Sequence, residues 1–341
     1  MRGTGRTVKV AAVLTTSIIA GVALRQVRRL RPALADVAPA LRSPLLPFLT
    51  GQVSARVLRL YRAGMGVTMS AGAGVTVRRA EVPSAVPPAL VVAPREMSGP
   101  APAILHIHGG GMIMGSPGFE LPLSGQWCRD LGVVVVSPDY RLAPEHSYPA
   151  AVDDVMETLY WMRAESAALG IDPDRIAVAG SSAGGGLAAA IAQRAFDEGI
   201  PLRGQVLVYP MLDDRTALDT SDRSAGYGRF VWNNRANLYA WTAYLGRPPR
   251  RSDAPGYAAP ARRSDLSGLA PAWAGVGEID LFHDETVSYA KSLRSNGVRC
   301  DLVVVPGMYH GADGIKRNNP AMLAFRQDST EFLREVLQAG I

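Results

Sequence analysis

Residues 180–184 read GSSAG and hold two adjacent serines between glycines. An apolar run, Arg175–Gly180, precedes them and an alanine-rich run, Ala183–Phe196, follows. Gly-x-Ser-x-Gly between a strand and a helix is the pattern that presents Ser182 as a nucleophile on a sharp, strained turn. The following helix N-terminus supplies N–H groups that favour developing negative charge. A dinucleotide loop of the form GxGxxG does not fit, because Ser182 stands where its second glycine belongs. A glycine-rich structural turn is the bland alternative. A second element sharpens the choice. "HIHGGGM", His106–Met112, follows an apolar run, and three successive glycines let backbone N–H groups approach an anionic oxygen.

A serine nucleophile needs a base and an acid that orients it, and after a strand–Ser–helix turn of this kind they are expected further along the chain in the order Ser, Asp/Glu, His. "PGMYHGAD" places His310 just after an apolar run, between Gly307 and Gly311. "GVGEIDLFHDE" offers Asp280 first for the acid, with Glu278 and Asp284 as rivals. His106 and His108 fall on the same side of a strand and could read as a metal pair. Only three other histidines occur, and Cys128 and Cys300 make neither a CxxC nor a disulfide framework, so no metal site is expected.

These residues need a scaffold that brings distant segments together. Eight short apolar runs read as strands: Val75–Val82, Ala89–Pro94, Ala103–His108, Val133–Tyr140, Arg175–Gly180, Gln205–Pro210, Ala272–Gly277 and Cys300–Gly307. Between the later ones lie helical patterns at Gly118–Leu131, Ala150–Leu169, Ala183–Phe196, Glu285–Ser295 and Ala321–Gln338. Near-continuous Val/Ile/Leu strands alternating with helices imply a mostly parallel α/β sheet covered on both faces, with ligands at the carboxyl ends of the strands. Met211–Pro260 is too long for a connection, contains a helical stretch at about Asn234–Leu245, and reads as a cap insertion at about 211–260. Residues 32–74 are proline-broken helical pieces that would form the rest of a cap, and residues 75–341 the catalytic domain.

The net charge of +6 is local. Seven basic residues precede the first acidic one, Asp36, leaving 29 basic against 30 acidic in the rest of the chain. A basic groove for nucleic acid is therefore not expected. Residues 1–31 form a basic arm around the apolar run Val10–Leu24, whose 15 residues are short for a membrane span of about 17–25. Three readings stand: a surface or cap helix, a membrane anchor aided by the arginines of "RQVRRLRP", or a cleaved signal, which the flanking charge disfavours. They place the chain in the cytoplasm or at a membrane, with secretion the lesser reading.

Taken together, "HGGG" (His108–Gly111), "SPDYRLAPEHSYPAAVDD" (Ser137–Asp154), "GSSAGG" (Gly180–Gly185), "DLFHDETVSYAKSLRSNGV" (Asp280–Val298) and "PGMYHG" (Pro306–Gly311) make the chain from about Val75 onward resemble the bacterial hormone-sensitive-lipase-like esterases. The resemblance implies an α/β-hydrolase fold with a helical cap. It implies Ser182 as nucleophile, His310 as base and Asp280 as acid, with the N–H groups of Gly109, Gly110 and Ala183 as oxyanion donors. It further implies hydrolysis of short- to medium-chain carboxylic esters, small-molecule substrates, without a cofactor, and a structural role for Glu145 and His146. The sequence departs from the family in four places. Ser181 stands where an acidic residue is usual, Met112 where an aromatic often follows the third glycine, "DLF" replaces D-P-L and "HGA" replaces H-G-F. A deacetylase or amidase using the same triad, or a non-catalytic ligand-binding protein on the same scaffold, are the alternative readings.

Overall fold

The computed structural model describes residues 25–26, 28–83, 86–219 and 227–338. The apolar run Val10–Leu24 expected to form a cap helix, anchor or signal lies outside these residues. Eight strands form one sheet: β1 (Val75–Ala80), β2 (Ala89–Pro94), β3 (Ala101–Ile107), β4 (Val134–Pro138), β5 (Ile171–Ser181), β6 (Gln205–Val208), β7 (Ala272–Gly277) and β8 (Cys300–Val305). Their spatial order is β1-β2-β4-β3-β5-β6-β7-β8. The first two connections in that order, β1 to β2 and β2 to β4, are antiparallel, and the other five are parallel.

Side chains of one strand alternate between two cores. Ala103 and Leu105 of β3 enter one cluster and Ile104 the other. The first is closed by the helices Ala150–Ala164, Ala183–Asp197 and His283–Ser295, which contribute Val155, Leu187 and Leu293. The second is closed by Leu121–Leu131 and Pro320–Gln338, with Trp127, Phe325 and Phe332. Apolar residues on both faces are what a sheet buried between helix layers requires. The pattern expected to run as one helix over Ala150–Leu169 is two, Ala150–Ala164 and the single turn Ser166–Leu169, broken at Glu165.

The segment after β6 leaves the sheet and carries the helix Asn234–Leu245, whose N-cap Asn233 accepts from the Ala236 N–H at 2.9 Å. The same Asn233 donates to the carbonyls of Thr50 and, at 3.1 Å, Gly51. Val231 N–H donates to Leu49 O. The segment before β1 and the segment after β6 thus meet each other. At the other side, Ala38 N–H donates to Gly307 O at 3.1 Å, next to the loop that carries His310.

Candidate active site

The carboxyl ends of β3, β5, β7 and β8 converge, and each delivers one part of the site. Ser182 has φ 57° and ψ −119°, a strained conformation between β5 and the helix Ala183–Asp197. The turn is tight enough to exclude side chains around it. A Cβ on Gly184 would lie 2.0 Å from Ile107 O, and one on Gly180 2.3 Å from Gly184 O. Ser182 Oγ lies 3.0 Å from His310 Nε2, and His310 Nδ1 lies 2.9 Å from Asp280 Oδ2. A carboxylate only accepts, so Nδ1 carries the proton and Nε2 is left to accept from the serine hydroxyl. The other Asp280 oxygen accepts from Phe282 N–H at 2.9 Å, which fixes the carboxylate's orientation.

The rivals for the acid are engaged elsewhere. Glu278 accepts from Gly307 N–H at 2.9 Å, and Asp284 sits 2.8 Å from His283 Nδ1. Asp280 is fully buried, and Ser182 and His310 are only 7% and 6% exposed. The His310 ring is held edge-on by Tyr209 and Phe282, with centroids 4.7 and 5.3 Å away. Tyr209 in turn donates to Asp313 at 2.9 Å, a carboxyl that burial pushes above its ordinary value.

The glycine turn after β3 lies beside the nucleophile turn. Its backbone is unusual, with Gly110 at φ 121° and Gly111 and Met112 also at positive φ. A Cβ on Gly110 would lie 2.1 Å from Met114 O, so glycine is required there on two counts. One expectation is corrected. The Gly109 N–H, expected to face an oxyanion, donates to Glu120 Oε1 at 2.9 Å and is spent. Among the described residues, the N–H groups of Gly110, Gly111 and Ala183 donate to no protein acceptor. The indole of Trp232 covers Gly111 so closely that a Cβ there would lie 2.4 Å from it.

His106 and His108 are both structural in their contacts. His106 Nδ1 lies 2.8 Å from Ser124 Oγ and its Nε2 2.9 Å from Glu120 Oε2. His108 Nδ1–H donates to Gly109 O at 2.9 Å, and its ring stacks on Tyr140 at 4.1 Å. The Tyr140 hydroxyl donates to His108 O at 2.9 Å, so the segment Tyr140–His146 buttresses the glycine turn from behind. Glu145 is gripped by Arg62 at 2.7 and 2.9 Å, which holds its carboxyl down at about 2. Arg62 also donates to the carbonyls of Ile113 and Ala143, both at 2.8 Å. Glu120, Arg62, Tyr209 and Trp232 carry no motif signal. Only the fold brings them to the site.

Residues 104–313 match the family described as the alpha/beta hydrolase fold. The chain is 38% identical over 211 residues to carboxylesterase NlhH of Mycobacterium tuberculosis, covering 62% of this chain and 66% of that protein. It is 36% identical to an ethyl acetate hydrolase of Pseudomonas putida, covering 61% and 65%. It is 36% identical to esterase LipI of M. tuberculosis, covering 70% and 73%. The chain thus spans just under two thirds of the length of the first two. Among solved structures, a bacterial heroin esterase superposes with a TM-score of 0.81 at 32% identity, covering 90% of this chain and 99% of that one. Esterase LipW of Mycobacterium marinum gives 0.79 at 29% identity, covering 89% and 97%. Motifs, sheet order and these likenesses agree: the chain belongs to the alpha/beta hydrolase fold family, in its hormone-sensitive-lipase-like branch.

Proposed function

We propose that this protein is a serine carboxylesterase that hydrolyses carboxylic esters of small molecules through an acyl-enzyme. The observation that carries this reading is the continuous relay from Ser182 Oγ to His310 Nε2 at 3.0 Å and from His310 Nδ1 to Asp280 at 2.9 Å. It is supported by the relatives' names, carboxylesterase and ethyl acetate hydrolase. His310 takes the Ser182 proton as Oγ adds to the ester carbonyl, and Asp280 holds the imidazole in the required tautomer and stabilises its charge. The oxyanion is received by the unspent N–H groups of Gly110, Gly111 and Ala183. His310 then protonates the leaving alkoxide, and water activated by the same imidazole releases the acid.

The segments 32–74 and about 211–260 act as a cap over the mouth of the site. The contacts of Asn233 and Val231 with residues 49–51, and the seating of Trp232 on Gly111, support that role. The basic arm associates with anionic membrane surfaces. Arg25, Arg28, Arg29, Arg31, Arg56 and Arg59 are exposed with no carboxylate in ion-pair range among the described residues, and Leu45 and Phe48 are 67% and 52% exposed close to where Gln26 meets Pro47. Among the described residues, no helix is long and apolar enough to cross a membrane.

The test is p-nitrophenyl butyrate hydrolysis together with labelling by a fluorophosphonate probe. The wild-type protein is expected to do both and Ser182→Ala neither, with an unchanged circular dichroism spectrum. Hydrolysis retained by the folded variant would remove Ser182 from the mechanism. A wild-type protein that neither hydrolyses nor labels would favour the binding-only reading.

A further inference from the structure

Among the described residues, the Glu120 carboxylate touches both turns on which the proposed reaction depends. It lies in the loop before the helix Leu121–Leu131, and its side chain is 17% exposed. Oε1 accepts from the Gly109 N–H at 2.9 Å and from the Ser181 hydroxyl at 2.9 Å. Oε2 lies 2.9 Å from Nε2 of the buried His106. Gly109 opens the glycine turn, and Ser181 is bonded directly to the nucleophile residue. Burial pushes the Glu120 carboxyl up, but the contacts with His106 and the Gly109 N–H outweigh it and hold the group below its ordinary value. It is an anion at neutral pH.

From this geometry we propose that Glu120 is a positioning residue for ester hydrolysis: its carboxylate locks the glycine turn to the Ser181–Ser182 turn and so sets the spacing of the oxyanion donors. Two sets of N–H groups must aim at one oxygen, Gly110 and Gly111 from the turn after β3, Ala183 from the turn after β5. Nothing covalent joins the two turns. A Cβ on Gly109 would already lie 2.9 Å from Ser181 O, so the turns are in van der Waals contact, and a carboxylate accepting from both fixes their register. Ser181 is the matching half of the device. It stands where the resembled family has an acidic residue, and as serine it donates to Glu120 where a second carboxylate would repel it. Glu120, 61 positions away in sequence, thus supplies a negative charge beside the residue that precedes the nucleophile.

The inference rests on the esterase reading, and its test is a double-mutant cycle whose outcome differs from failure of that reading. Glu120→Gln is expected to lower kcat on p-nitrophenyl butyrate about 10- to 100-fold with KM within about twofold, a loss smaller than the ~10²–10³ of deleting an oxyanion donor. Binding of a trifluoromethyl ketone, which forms an oxyanion on Ser182, is expected to weaken by a similar factor. Ser181→Asp in the wild-type background also lowers kcat, because two carboxylates then share one site. The double variant Ser181→Asp/Glu120→Gln recovers most of the activity. Ser181→Ala, which removes one link and keeps the carboxylate, gives a smaller loss of the same kind and serves if Glu120→Gln does not fold. Additive losses in the double variant, or losses of kcat without weaker ketone binding, overturn the proposal. Wild-type hydrolysis and fluorophosphonate labelling stand regardless, so the esterase reading survives that result.

Discussion

The chemistry depends on a few atoms whose environments differ in kind. Asp280 has no exposure, receives a backbone N–H on one oxygen and the imidazole on the other, and so keeps His310 in a single orientation. Asp280→Asn reverses that logic. An amide in place of the carboxylate can present its N–H₂ to the ring and stabilise the wrong tautomer, and kcat is expected to fall by up to ~10⁴ with little change in thermal stability. Parallel kcat and melting measurements check this. A loss below tenfold would show that the tautomer is held by other groups. At this scale the sequence was most legible. Ser182 and His310 are marked by glycine-flanked turns after apolar runs, and Asp280 by its place between them. The Gly109 N–H was misassigned because nothing near it in the sequence announces Glu120, 11 residues on. A backbone donor's partner is a property of the folded turn.

The elements hold these atoms by packing helices on both faces of the sheet, and one helix start has a further duty. Glu285, in the first turn of His283–Ser295, accepts from the Leu212 N–H at 2.7 Å and from the Thr216 hydroxyl. It thereby ties the segment after β6 to the helix that follows Asp280. Burial pushes its carboxyl well above the ordinary value, against the lowering effect of those two bonds. Between the unfolded value near 4.5 and the raised folded value, the native state holds a proton that the unfolded chain has lost. Stability from this group is therefore present at low pH and is lost as pH rises through that window. Glu285→Gln removes the dependence. Its Tm relative to the wild type is expected to rise between pH 5 and pH 8, and a constant difference across that range would contradict the assignment. Inner strands such as β4, β6 and β7 were readable from apolar runs because both of their faces are buried. The break at Glu165 was not, since the apolar positions continue through it while the backbone there turns out of helical geometry, at φ −98° and ψ 21°.

For the whole molecule, charge is unevenly placed. Residues 1–80 carry a single acidic residue, Asp36, while the rest of the chain is acid-rich. Co-sedimentation of the full chain with vesicles containing phosphatidylglycerol, and not with pure phosphatidylcholine, is expected, and it should weaken in 0.5 M salt, where exposed charges are screened beyond about 4 Å. Equal recovery with both lipids would assign any binding to apolar contact alone. The segments that carry no strand are also where sequence patterning says least, because their shape is set by contacts such as Asn233 to Gly51 and not by any periodicity. Trp232 belongs to such a segment, yet its ring forms the ceiling over Gly111. The proposed catalytic groups and the ring that covers the glycine turn are thus written in separate stretches of chain. On the proposed esterase reading, substitutions in residues 227–260 would alter which esters are admitted without touching the Ser182–His310–Asp280 relay.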